Sequence, residues 1–207
     1  MKRLFNIGLG VVLTTLSLTT SAQTATRVGI KAGANLMNMG KFEFLGSTYS
    51  SDYMPGFQAG LFLDLPLSEQ LSFMPEVQYT QKSSKVSATV AGNTGELKLR
   101  TGYIDVPVLL SFHATPEFSI MAGAQASFLL SQSTKIYTNG TLASSSTDKD
   151  DFRKSIAGGI VGLGYKINPN MNLSARYNMD FQSIANDDIN QDKSKFNGFS
   201  LSLGFGF

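Results

Sequence analysis

Five charged residues stand singly in stretches that otherwise alternate apolar with small or polar side chains. They are Lys31 in "VGIKAGANL", Glu76 in "PEVQY", Asp105 in "YIDVPVLL", and Arg176 and Asp180 in "MNLSARYNMDF". Isolated charges on one face of a period-two pattern point inward or outward together, because successive strand side chains leave on opposite faces. Opposite charges gathered in a narrow space either neutralise one another as a buried ion-pair network or line a polar constriction that an ion or small solute passes. Other site chemistry is poorly supplied. His113 is the single histidine, cysteine is absent, and no zinc spacing, phosphate loop or dinucleotide fingerprint occurs. The acidic runs Asp148, Asp150, Asp151 and Asp187, Asp188 lack the regular spacing of a calcium loop and read as solvated loop charge. No metal, cofactor or catalytic group is expected, and the triplet Asn139-Gly140-Thr141 is given no function.

The elements that position these charges read as eight strands, roughly 26–36, 54–65, 71–82, 97–112, 117–131, 153–167, 171–183 and 196–207. Each suffices for a tilted crossing of a bilayer, which takes about 9–11 residues. Connections near 66–70, 113–116 and 168–170 are tight. Those near 37–53, 83–96, 132–152 and 184–195 are longer and rich in Ser, Thr, Asn, Asp and Gly. Asn139-Gly140 is a two-residue hairpin signal, so strands five and six are expected to run on before turning. Short turns on one rim and long loops on the other is the layout of a transmembrane barrel with periplasmic turns and extracellular loops.

Residue identity decides which face meets lipid. In the last strand Phe199, Leu201, Leu203, Phe205 and Phe207 alternate with Ser200, Ser202, Gly204 and Gly206. A water-exposed sheet face normally carries many Lys and Glu, whereas Gly, Ser and Gln suit a narrow lumen. The apolar face therefore looks at lipid and Arg176 and Asp180 look inward. Aromatics near strand ends (Phe57, Tyr79, Phe112, Phe118, Phe128, Tyr165, Phe181) read as interfacial girdles. Closure is required, since an open edge would strand backbone groups in hydrocarbon. The expected fold is thus all-β, an eight-stranded antiparallel up-and-down transmembrane barrel. Leu203, Phe205 and Phe207 resemble the recognition signal read by barrel-insertion machinery.

Counted from the short-turn rim, Lys31 and Glu76 lie about five residues up, Arg176 about six and Asp105 about eight, at a rise of about 3.3 Å per residue. All four fall at similar height in a lumen only wide enough for side chains, with Phe62, Met74 and Leu109 on the same inner face. Pro75 and Pro107 sit inside strands that have no free edge, so a bulge or a broken ladder is expected there.

Residues 1–22 read as a cleaved signal peptide, with Lys2 and Arg3, an apolar run from Leu4 to Leu18, and small residues ending at Ala22 before Gln23. Residues 23–207 form the barrel domain. Of the 17 Lys and Arg, two leave with the signal, and the remainder equal the 15 Asp and Glu. A neutral mature chain has no electrostatic case for nucleic acid. An exported chain without cysteine relies on packing and hydrogen bonds.

The segments "VGIKAGANL", "PEVQY", "YIDVPVLL", "GGIVGLGY" and "LSLGFGF" together resemble the PorT-like outer-membrane β-barrel family of Bacteroidetes-type bacteria, also called porin-family proteins. Tyr103, Asp105 and Pro107 form the most specific piece, where family members often carry Glu in place of Asp105. The resemblance implies an eight-stranded barrel in the outer membrane of a Gram-negative bacterium, in contact with its lipid. Its founding member belongs to a protein-secretion machine, so a secretion-assembly or extracellular protein partner is among the implications. The reading that follows is a non-enzymatic barrel with a lumen plugged by polar and charged side chains, acting through its loops as an envelope or surface-interaction protein. A narrow channel for ions or small solutes, and an accessory barrel of a secretion assembly, are the alternatives. The expected cleavage is directly measurable: the intact mass of the exported protein should correspond to a chain beginning at Gln23.

Overall fold

In the computed structural model, residues 26–44, 47–90, 92–149, 152–184 and 194–207 are described. The signal segment with Ala22 and Gln23, and loop residues Asp150, Asp151, Asp187 and Asp188, lie outside them. Eleven strands follow in chain order: β1 (Arg27–Asn38), β2 (Lys41–Phe44), β3 (Ser47–Ser50), β4 (Asp52–Pro66), β5 (Leu71–Val90), β6 (Asn93–His113), β7 (Phe118–Thr138), β8 (Thr141–Ser146), β9 (Ser155–Lys166), β10 (Met171–Asp180) and β11 (Asn197–Gly206). Nine belong to one sheet. The pairing of β6 with β7 closes β6-β5-β4-β1-β11-β10-β9-β7 into a ring, leaving β8 attached to β7 alone. Neighbouring strands in the ring are antiparallel.

The short turns share one device. Ser68 Oγ accepts from the backbone N–H of Gln70 and Leu71, Thr115 Oγ1 from those of Glu117 and Phe118, and Asn168 Oδ1 from those of Asn170 and Met171. A short polar side chain in each turn thus supplies the acceptor that the reversing backbone lacks. The start of β1 and the residue after β11 meet on the same rim. Phe207 N donates to Val28 O at 2.8 Å, and Arg27 Nη1 reaches Pro169 O at 2.8 Å.

The opposite rim differs from the expected loops. Residues 83–96 are mostly strand, with β5 and β6 paired out to Val90↔Asn93 and only a tight turn containing Gly92, at φ +80°, between them. Ser83, Ser84, Ser87, Thr89 and Thr94 belong to an extended hairpin, which a composition-based reading takes for loop. Asn139 and Gly140, at φ 50° and 82°, form the expected turn between β7 and β8. Asn139 also ties the hairpin tips, its N–H donating to Thr94 O at 2.8 Å and its Oδ1 accepting from Thr94 N at 2.9 Å. Strands β5, β6, β7 and β8 therefore rise as a sheet above the ring.

Bulges occur elsewhere than at Pro75 and Pro107. The register shifts between Tyr53 and Gln58, around Pro55, and between Gly102 and Tyr103, where β7 carries an additional residue. Across Pro75 and Pro107 the β5–β6 pairs run from Pro75↔Val108 to Gln78↔Asp105 without a shift, so the ladder is interrupted but its register is kept.

Alternation puts bulky apolar groups outside. Ile30, Leu61, Ile120, Leu163, Leu201 and Leu203 are exposed around the wall. Aromatic pairs mark both rims, Phe118–Tyr165 and Phe205–Phe207 below, Phe57–Tyr79 and Tyr177–Phe199 above. So continuous an apolar belt would be strongly disfavoured in water and is matched by lipid. Inside, glycine lets strands and side chains approach. A Cβ on Gly123 would lie 2.0 Å from Val108 O and 2.8 Å from Leu109 Cα. Gly123→Val is therefore expected to destabilise the folded barrel by at least about 1–3 kcal/mol in urea titrations from lipid vesicles.

Candidate functional site

Among the described residues the fully enclosed charges are three cations, Lys31, Lys82 and Arg176, and three anions, Glu76, Asp105 and Asp180, each no more than 7% exposed. They separate into two layers. In the lower one, Glu76 on β5 accepts from Arg176 on β10 through two bonds, Nη1 to Oε2 at 2.8 Å and Nη2 to Oε1 at 2.7 Å. Its Oε2 also accepts from Lys31 Nζ on β1 at 2.7 Å. The guanidinium fork matches the carboxylate plane, an arrangement that a lysine cannot reproduce. Gly162 on β9 makes room for the arginine stem, since a Cβ there would fall 2.8 Å from Arg176 Cγ.

The upper layer is centred on Lys82 of β5. Its Nζ donates to both oxygens of Asp180, at 2.9 and 2.8 Å, and lies 4.9 Å from the centre of the Tyr103 ring and 5.9 Å from that of Phe196. Asp105 adds a second negative charge near Lys82, although its Oδ1 accepts no hydrogen bond from the described residues. Period-two spacing carries Tyr103, Asp105 and Pro107 to the inner face together, and all three are buried.

Of the five charges singled out from sequence, Lys31, Glu76 and Arg176 meet, whereas Asp105 and Asp180 belong to the higher layer. The similar-height expectation for Asp105 fails because strand tilt and stagger shift heights between strands, so a residue count from the rim does not compare distant strands. Lys82 was missed. The signal was available, because Lys82 continues the inward parity of Glu76, Gln78 and Thr80, but the expected strand ended there and left Lys82 at the rim.

Side chains fill much of the remaining lumen. Leu109, Met121 and Ile160 pack with Met74 on one wall, and Phe62 is also buried. Beyond the Lys82 layer, Met37, Val86, Leu99, Tyr103, Ile156 and Phe196 form a larger apolar cluster. Polar inward groups pair across strands, with Gln58 Nε2 donating to Ser202 Oγ at 2.6 Å and Asn178 Nδ2 to Ser200 Oγ at 3.0 Å. From the short-turn rim a cavity of about 490 Å³ reaches Lys31, Glu76 and Arg176, passing His113 and Glu117. His113 is thus at the rim, away from both charge layers. Among the described residues no group of three His, Asp or Glu side chains is arranged to hold a metal ion. On the outside, Leu203 and Phe205 on β11 and Phe207 just after it are exposed.

A closed antiparallel ring, apolar outside and polar with paired charges inside, is the construction of a small transmembrane β-barrel. The family comparison agrees: residues 21–186 match the profile of the outer membrane protein beta-barrel domain, and the chain belongs to that family. It is an outer-membrane protein of the Gram-negative type. No curated protein matches it in sequence. Among solved structures it is similar to the Neisserial surface protein NspA, with 17% identity, a TM-score of 0.51, and 89% of this chain and 100% of that one covered. It is also similar to Ail, the attachment invasion locus protein of Yersinia pestis, solved with the heparin analogue sucrose octasulfate. There the identity is 14% and the TM-score 0.50, with 89% and 100% covered. At these identities the likeness is one of fold.

Removing Glu76 leaves two enclosed cations facing each other, whereas removing Lys31 leaves the two-bond Arg176–Glu76 pair. Glu76→Ala should therefore cost about 3–5 kcal/mol of folding stability and Lys31→Met distinctly less, as read from urea unfolding in lipid vesicles.

Proposed function

We propose that this protein is a non-enzymatic outer-membrane barrel whose lumen is plugged, and that it works as an envelope or surface-interaction protein through the strands and loops on its outer side. The observation that carries the plug is the pairing of Glu76 with both Lys31 and Arg176 beneath a second pair, Lys82–Asp180, and an apolar cluster. An ion crossing this path would have to displace charges that satisfy one another in a lumen of side-chain width. Function then falls to the elements beyond the membrane, where the sheet of β5 to β8 presents its surface. The resemblance carried by Tyr103, Asp105 and Pro107 supports a PorT-like member from a Bacteroidetes-type bacterium, and with it an extracellular or secretion-assembly partner. In this reading residues 1–22 are removed on export, and Leu203, Phe205 and Phe207 guide the remaining barrel domain through the insertion machinery.

One observation favours a second reading. The cavity rising from the short-turn rim ends on the Lys31–Glu76–Arg176 cluster, the position a charged gate would occupy in a narrow ion or solute channel. Planar-bilayer recording on the refolded mature chain, with folding checked by heat-modifiable gel migration, separates the two. Folded wild-type protein should give no steady single-channel steps. Steady steps whose size changes in Arg176→Ala would instead establish the channel.

A further inference from the structure

The outward face of the raised sheet carries a row of like charges. Lys85 on β5 pairs with Lys98 on β6, which pairs with Lys135 on β7. Directly paired residues share a face, and like charges placed so across neighbouring strands repel. Two residues nearer the ring, on the same face of β6, Arg100 is exposed between Ser83 and Ser133. Compensation is partial. Glu96 contacts Lys98 at 2.6 Å, and this hydrogen bond holds the Glu96 carboxyl below the usual carboxylate range. Asp52 reaches Lys85 only at 3.6 Å. Among the described residues, no carboxylate pairs with Arg100 or Lys135.

The height of this row identifies what faces it. Tyr79, Ile104 and Phe128 form one register row at the upper edge of the apolar belt. Arg100 is four residues above Ile104 and Lys98 six, which at about 3.3 Å per residue and about 40° of tilt puts them roughly 10 and 15 Å above that edge. The inner face at this level is occupied, since Val86 and Leu99 pack into the lumen cluster, so the cations can reach only the outside. The polar layer of a bilayer is only about 5–8 Å deep, so from these heights the long lysine and arginine stems bend toward the wall to bring their charges down to it.

We infer that the face formed by Lys85, Lys98, Arg100 and Lys135 binds the phosphates of the anionic glycolipid in the outer leaflet surrounding the barrel. A fixed phosphate neutralises neighbouring cations that the protein compensates only in part, and basic clusters flanking a membrane-spanning wall are suited to anionic headgroups. The inference rests on the surface-interaction reading and names the surface and its ligand class.

The test uses the full mature chain in phosphatidylcholine nanodiscs titrated with bisphosphorylated lipid A, with bound lipid counted by native mass spectrometry. Wild-type protein should retain lipid A and lose most of that binding when the phosphates are removed from the lipid. Replacing all four cations (Lys85→Gln, Lys98→Gln, Arg100→Gln, Lys135→Gln) should weaken retention at least tenfold while gel migration still reports a folded barrel. Should that variant fail to fold, the double change Arg100→Gln, Lys135→Gln, at two exposed positions, should still weaken retention severalfold. Equal retention by folded variant and wild type, or by phosphorylated and dephosphorylated lipid, overturns the inference. Preference for soluble sucrose octasulfate over lipid A overturns it as well, by making the ligand a free polyanion. These outcomes leave the plugged-barrel reading intact, which a conducting lumen overturns.

Discussion

Hydrocarbon offers no hydrogen-bond partner to a peptide group, and the rest of this structure depends on that constraint. Every strand in the belt must be paired on both sides, so the ring has to close, here with β1 against β11 from Gly29↔Gly206 to Asn38↔Asn197. Closure of so few strands makes the lumen narrow, and the pleat sends alternate residues into it. Glycine and serine on β9 and β11 are what such a space admits. Any charge placed on the inner face has to find its opposite nearby, because little water is available to solvate it.

That requirement accounts for both layers. Glu76 alone would be a poor partner for two cations, yet its two oxygens and three short contacts let one carboxylate satisfy most of an arginine fork and a lysine. Counted by residue type, the lower layer has two cations to one anion and the upper, with Asp105 near Lys82, one cation to two anions. Three cations and three anions are thus enclosed in the same narrow space. An aliphatic lumen of equal volume would be cheaper to build, so such networks are better understood as fixing which strands face which. Lys31, Glu76 and Arg176 come from strands that are far apart in sequence but converge only in the correctly registered ring.

The eight ring strands, the inside-outside assignment and the short turns are legible because they rest on local, strongly periodic signals, whereas the short strands β2, β3 and β8 fall where loops are expected. Met171 to Phe181 alternates without a fault, and Ser68, Thr115 and Asn168 each stand where a turn needs an acceptor. Two further features are not legible. Residues 83–96 look like loop by composition, since Ser, Thr and Gly dominate, and only pairing of β5 with β6 and of β6 with β7 holds them extended. The partition of the charges into two layers depends on strand tilt, which no single strand encodes, so counting places Asp105 too low; Lys82 escapes notice because the expected strand ends at it. The same limit hid the lysine row, whose three members are 13 and 37 residues apart in sequence and become neighbours only through register. At Pro75 and Pro107 the ladder breaks as proline's missing donor requires, while neighbouring pairs hold the register across the gap.

The most direct test of the account is the coupling between Glu76 and Arg176, taken from the unfolding free energies of wild type, Glu76→Gln, Arg176→Gln and the double variant in lipid vesicles. If the lumen is held shut by charges that depend on one another, the double variant should be less destabilised than the sum of the singles by about 2 kcal/mol or more. Additive losses would mean that the two residues act independently, and the self-neutralising plug would have to be abandoned.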